Sequence, residues 1–253
     1  MKMTRKLIPA FVMLIVSAIM LSTASFAWFA TNRTVSANNM SVTANANTKF
    51  LHISTQAGSG FDTQVDAVNK SKSVDLINAK IDDTDNKSVK WYLGSSTVSG
   101  SVGTTGAQLD SSTVSTDVDP TDPTTSKYAL INTFYFKMSD TSNVNLTNLT
   151  VSEITVSGTS NLKTALRVLV VGADGAQIWK VASEDATKLV KHDENNADYL
   201  ITSEITNVSP AAQSVKVYVY YDGEDASAYS DNAIDLGAMT VNVTFTATEA
   251  IAS

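Results

Sequence analysis

Cysteine is absent from this 253-residue chain. That excludes a disulfide framework, a thiolate nucleophile and any Cys-based zinc or iron–sulfur site. Histidine occurs only at His52 and His192, too few for a His-rich metal centre. Positive charge is scarce as well: 18 Lys and Arg face 25 Asp and Glu, a formal charge of −7. A nucleic acid is therefore not an expected partner, because phosphate binding needs a basic face. Charged residues reach only 17%, well short of the usual quarter. Beyond the first thirty residues no stretch is long and wholly apolar.

Ser and Thr take up the difference with about 60 residues, far above average usage. The hydrophobic share of 43% is that of an ordered globular chain. Thr, Val, Ile and the aromatics suit half-buried pleated surfaces, whereas strong helix formers are few. The length allows one or two domains and fits a single β-sandwich.

The N-terminus carries the clearest signal. Lys2, Arg5 and Lys6 precede Leu7–Ala30, which holds no charge at all. A basic start, an apolar centre and small residues at the exit describe a secretory signal peptide. Ser25 and Ala27 set small side chains at −3 and −1 of a cut between Ala27 and Trp28; a cut after Ala30 would put bulky Trp28 at −3. The alternative is a retained anchor, since Leu7–Ala30 is long enough to cross a bilayer with Trp28 at the interface. Either way the remainder is exported, and membrane contact is confined to this segment before processing. Removal of residues 1–27 takes Lys2, Arg5 and Lys6, leaving 15 basic against 25 acidic residues.

Downstream, alternation and turn residues mark successive strands. Met40, Val42 and Ala44 alternate with Ser41 and Thr43. Further strands are predicted at Phe50–Ser54, Ser73–Ile81, Val89–Leu93, Tyr128–Met138, Leu149–Ser157 and Leu166–Val171. Gly172-Ala173-Asp174-Gly175 turns the last of these back into Gln177–Val181 as a hairpin. Tyr199–Ile205, Val215–Tyr221 and Met239–Thr248 complete the set, and Glu184–Lys191 is the one predicted helical turn. Residues 94–126 contain no aromatic and no positive charge and are expected to form a flexible insertion. The expected organisation is a signal peptide over 1–27 and one domain over 28–253. The expected fold is mostly β: an antiparallel, jelly-roll-like β-sandwich behind an N-terminal apolar helix.

Ser25-Phe26-Ala27-Trp28-Phe29-Ala30, a polar spacer and then Met40, Val42 and Ala44 on alternate positions resemble the TasA/camelysin family. These are exported Gram-positive proteins whose signal peptides are of the type processed by the dedicated SipW peptidase. The resemblance implies cleavage after Ala27, a jelly-roll-like sandwich, and polymerisation into biofilm-matrix fibres. In such fibres the N-terminal strand of one subunit completes the sheet of the next, which here assigns Val35, Met40, Val42 and Ala44 to a donor strand. The implied partners are further copies or related surface subunits, with signal peptidase during export. The closest likeness covers residues 20–46.

Chemistry finds little footing. His52 sits between apolar Leu51 and Ile53 on a predicted strand, and His192 lies in a polar loop. No Gly-x-Ser-x-Gly elbow accompanies them. The metalloprotease activity ascribed to camelysin does not carry over, for no His-Glu-x-x-His is present. The acidic loops at residues 82–86, 117–122 and 222–225 offer oxygen ligands but lack the EF-hand spacing. No catalytic, cofactor or metal residue is assigned, and no enzyme activity is expected. The expected function is that of an exported fibre subunit built by strand addition. The alternatives are an adhesin-like surface binding module, with Trp91, Tyr92 and the 94–126 loop as contacts, and a secreted hydrolase.

Overall fold

The computed structural model describes residues 13, 34–37, 41–46, 50–69, 72–82, 85–93, 108–109, 121–122, 126–138, 144–158, 162–192, 200–205, 213–228 and 239–251. The chain divides into two compact units, Met1–Thr34 and Val35–Ser253. In the first, Met13 is helical and exposed; the rest of the expected apolar helix lies outside the described residues. Among the described residues no helix is long and apolar enough to cross a membrane.

The second unit is mostly β. In chain order the strands are β1 (Thr34–Ala37), β2 (Ser41–Ala46), β3 (Leu51–Ser54), β4 (Gln64–Asp66), β5 (Lys72–Asp75), β6 (Ile77–Ile81), β7 (Val89–Leu93) and β8 (Gln108–Leu109). They continue with β9 (Leu130–Met138), β10 (Val144–Ser157), β11 (Leu166–Val171), β12 (Ala176–Val181), β13 (Leu189–Lys191), β14 (Thr202–Ile205), β15 (Ser214–Tyr221) and β16 (Thr240–Ile251). One sheet has the order β14-β10-β16-β2-β4 and another β13-β12-β11-β15-β9-β3. A three-stranded sheet β6-β7-β8 and a β1-β5 pair complete the set.

Period-two alternation explains the main core. Val241, Val243 and Phe245 on β16 share one buried cluster with Val215, Val217 and Val219 on β15 and with Phe134 and Phe136 on β9. Phe136 and Phe245 meet edge to face across it, centroids 4.8 Å apart. The two larger sheets thus bury their apolar faces in a common core. Their margins are joined too: Ile53 and Asp62 exchange backbone hydrogen bonds of 2.8 and 2.9 Å, and the Val156 N–H donates to the Thr187 carbonyl at 2.8 Å.

The outer face of the six-stranded sheet is also covered. Ile77, Ala79 and Trp91 from β6 and β7 form a second cluster with Ile131, Leu169, Ile178, Tyr218 and Tyr220. Double-sided burial explains the near-continuous apolar run Leu-Arg-Val-Leu-Val-Val of β11 and the Val/Tyr alternation of β15.

Two expectations change in detail, and part of the 94–126 insertion is described. The predicted helical turn at 184–191 is instead a Ser183–Ala186 turn followed by β13, because Leu189 pairs with Val181 of β12. β10 begins at Val144 rather than Leu149, and its register shifts next to Asn148, which adopts φ 56°. Within the 94–126 insertion, Gln108–Leu109 pair with β7 and Ser126 is buried, its hydroxyl accepting the N–H groups of Tyr128 and Ala129 at 3.2 Å.

Candidate functional site

β2 reads Ser-Val-Thr-Ala-Asn-Ala. Its apolar positions face inward: Val42 is 1% and Ala44 0% exposed, whereas Ser41 and Thr43 are half-buried. Its neighbours lie far apart in sequence. On one side β2 runs parallel to β16, from Ser41 opposite Thr240 to Ala46 opposite Phe245. On the other it runs antiparallel to β4, with Thr43, Ala44 and Asn45 opposite Asp66, Val65 and Gln64. The Ser41 N–H donates to the Met239 carbonyl at 3.1 Å, and the Ser41 hydroxyl to Thr240 Oγ1 at 3.0 Å. The Ala46 N–H reaches the Thr63 carbonyl at 2.8 Å, and the Ala67 N–H reaches the Val42 carbonyl at 2.9 Å. Thr43 Oγ1 donates to Asp66 Oδ1 at 3.3 Å. Val42 and Ala44 belong to the same buried cluster as Leu51 and Ile53 of β3.

Among the described strand pairs with a defined register, β2–β16 alone is parallel. A parallel pair cannot be closed by a hairpin. No tight turn fixes β2 against β16; its place is set by backbone pairing to β16 on one side and β4 on the other, and by the burial of Val42 and Ala44.

Of the other residues singled out from sequence, Ser25, Ala27, Trp28 and Met40 lie outside the described residues. Val35 lies on β1, the partner of β5. His52 is half-buried on β3 opposite Lys137, between fully buried Leu51 and Ile53. His192 is exposed, its N–H donating to the Ile178 carbonyl at 2.8 Å. Trp91 is core, 4% exposed and 5.5 and 5.6 Å from the rings of Tyr218 and Tyr220. Tyr92 is half-buried with the Lys80 ammonium 5.2 Å over its ring. The contacts named for a surface binding module are thus partly interior.

Described residues of two acidic loops have internal work; residues 117–120 of the third lie outside the described residues. Asp85 accepts the Ser88 hydroxyl and the N–H groups of Ser88 and Lys87, which hold its carboxyl below the ordinary range. Asp82 pairs with Lys90 at 2.7 Å. In the loop after β15, Asp222 and Asp225 converge on buried Arg167, at 2.9 and 3.1 Å. Arg167 also donates to the carbonyls of Thr164 (2.6 Å) and Leu166 (3.1 Å). Burial pushes the Asp222 carboxyl up in spite of the guanidinium beside it. Asp225 is also raised by burial, but hydrogen bonds from Ser227 and Arg167 outweigh this and hold it low. Among the described residues no group of three or more His, Cys, Asp or Glu is placed to hold a metal ion.

Sequence reading missed the Arg167 cluster and the neighbours of β2. The first had a signal: one cation inside an otherwise apolar six-residue strand implies a buried counter-charge, and the acidic loop was there to supply it. A scan of protein-family models, a search of curated proteins and a search of solved structures each return no match to this chain.

Proposed function

We propose that this chain is a non-enzymatic, exported structural protein. In this reading it is a jelly-roll-like β-sandwich, processed after Ala27, whose copies join into a cell-surface or biofilm-matrix fibre by N-terminal strand addition. The observation that carries the reading is the seat of β2: a parallel strand from the start of the domain, held between β16 and β4 with Val42 and Ala44 buried. The backbone groups and apolar space that receive β2 from its own chain are equally suited to β2 of another copy. The basic, then uncharged N-terminus supports export, and the TasA-like pattern over residues 20–46 supports the fibre. Partners are copies of this chain or related surface subunits.

The test is electron microscopy and size-exclusion chromatography of secreted protein, with Val42→Asp beside it. Seating Val42 contributes about 1.5–3 kcal/mol of apolar burial, and an aspartate there would be a charge without a partner. Wild-type protein is expected to form filaments, and Val42→Asp to remain a β-rich monomer by circular dichroism. Filaments of normal length from Val42→Asp would rule out β2 as the joining strand.

A further inference from the structure

The acidic charge of this chain is unevenly placed. β3, β9 and β15 lie side by side as one half of the six-stranded sheet, and none of the three contains an Asp or Glu. Between them they carry His52, Lys137 and Lys216. Alternation fixes the face on which these side chains stand. Leu51 and Ile53, Phe134 and Phe136, and Val215 and Val217 belong to the main core, so the residues between them point the other way.

The third layer leaves this part of the outer face open. On β9 and β15 the cluster under β6 and β7 reaches only to Ile131 and Tyr218, which face each other. Beyond them Lys216 is exposed, and Thr133, Tyr135, Lys137 and His52 are half-buried. The register orders these residues in rows. Lys216 stands opposite Thr133, Tyr135 between Ser214 and Ser54, and Lys137 opposite His52. Rows two residues apart are separated by about 7 Å. The Tyr135 ring therefore has a lysine row on either side, and the two lysine rows lie about 14 Å apart. Lys137 holds its ammonium 5.0 Å over the Phe61 ring, which brings a second aromatic to the same face. Asp62, next to Phe61, is engaged with its neighbour: it accepts the Thr63 N–H at 2.6 Å and the Thr63 hydroxyl at 3.4 Å.

We infer that this face is a binding surface for an extended acidic polysaccharide. Two lysine rows on strands without a carboxylate match a polymer of repeating negative charge. In a chain of formal charge −7 they form a surface toward which such a polymer is steered. The ring of Tyr135 between the rows suits the flat C–H face of a sugar, and the hydroxyls of Thr133 and Ser214 beside it suit sugar hydroxyls. An acidic peptide would need the lysines but not a ring set between them. β2, β4 and β16 belong to the other sheet, so this surface is independent of strand addition.

The test is native electrophoresis of secreted protein through gels containing polygalacturonate, neutral dextran or poly-glutamate. Wild-type protein is expected to be retarded by polygalacturonate alone. Lys137→Gln combined with Lys216→Gln is expected to bind about tenfold more weakly, the loss of two exposed ion pairs. Lys216 is exposed, so Lys216→Gln alone should weaken retardation without touching the packing. Tyr135→Ala keeps every charge and is expected to weaken it as well, whereas Lys80→Gln, on the separate sheet β6-β7-β8, should leave it unchanged. No retardation of wild type, or equal retardation of wild type and the Lys137, Lys216 and Tyr135 variants, would overturn the inference. Equal retardation by poly-glutamate would overturn it too, and would assign the face to an acidic peptide.

Discussion

Arg167 shows what one buried charge demands. Its side chain is 7% exposed, and its guanidinium is balanced by Asp222 and Asp225 from a loop more than fifty residues later. Removing it strands Asp222 in the interior, so Arg167→Met is expected to cost about 3–5 kcal/mol in denaturant unfolding. Adding Asp222→Leu should recover much of that loss; a single variant within experimental error of wild type would contradict the assignment. Asp174 works at the surface. Its Oδ2 accepts the Ser203 hydroxyl and N–H, each at 2.7 Å, and these hold the carboxyl below its ordinary value. A depressed carboxylate adds stability above about pH 4, and that stability is lost as pH falls through the folded value. Asp174→Asn is therefore expected to lower stability at neutral pH, by less than about 1 kcal/mol for an exposed site, read as a lower melting temperature. The gap to wild type should close in strong acid; a gap unchanged with pH would mean the carboxylate is not the cause. The same turn cannot tolerate a side chain at Gly172, where an added Cβ would lie 2.1 Å from the Ile201 carbonyl oxygen.

The three-stranded sheet β6-β7-β8 shows what alternation conveys and what it leaves open. Val215–Tyr221 was legible as a strand with a valine face and a tyrosine face. Nothing in the pattern told which face was wet, because Tyr suits both half-buried and buried positions. Tyr218 and Tyr220 are interior only because Trp91 comes from β7 to cover them. Trp91 fills a cluster separate from the main core, so Trp91→Ala is expected to cost about 3–5 kcal/mol and to act locally. Hydrogen exchange should quicken in β6 and β7 while β10 and β16 keep their protection. Uniform quickening over all sheets would show that the third layer is not a separate unit. Elements with strong β-branched runs, such as β11 and β15, were legible almost to the residue. β4 and β13 were not: each is three residues long, and each exists through its neighbour rather than through its own pattern.

For the whole molecule the informative feature is the parallel alignment of β2 with β16. Val42 and Ala44 were legible as the apolar side of a strand, and both are buried. The partner was not legible, since periodicity reveals which face a strand hides but not the strand it lies beside, here some two hundred residues away. The same gap hid the pairing of β1 with β5. The central claim, that copies exchange β2, turns on whether Ser41 meets Thr240 within a chain or between chains. Their hydroxyls lie 3.0 Å apart, so cysteines at these positions can join. The decisive measurement assembles Ser41→Cys copies with Thr240→Cys copies, oxidises the product and runs it without reductant. Covalent dimers recovered from filaments are the expected result. Filaments whose mixed variants stay monomeric, while the Ser41→Cys/Thr240→Cys double variant closes only on itself, would contradict the account.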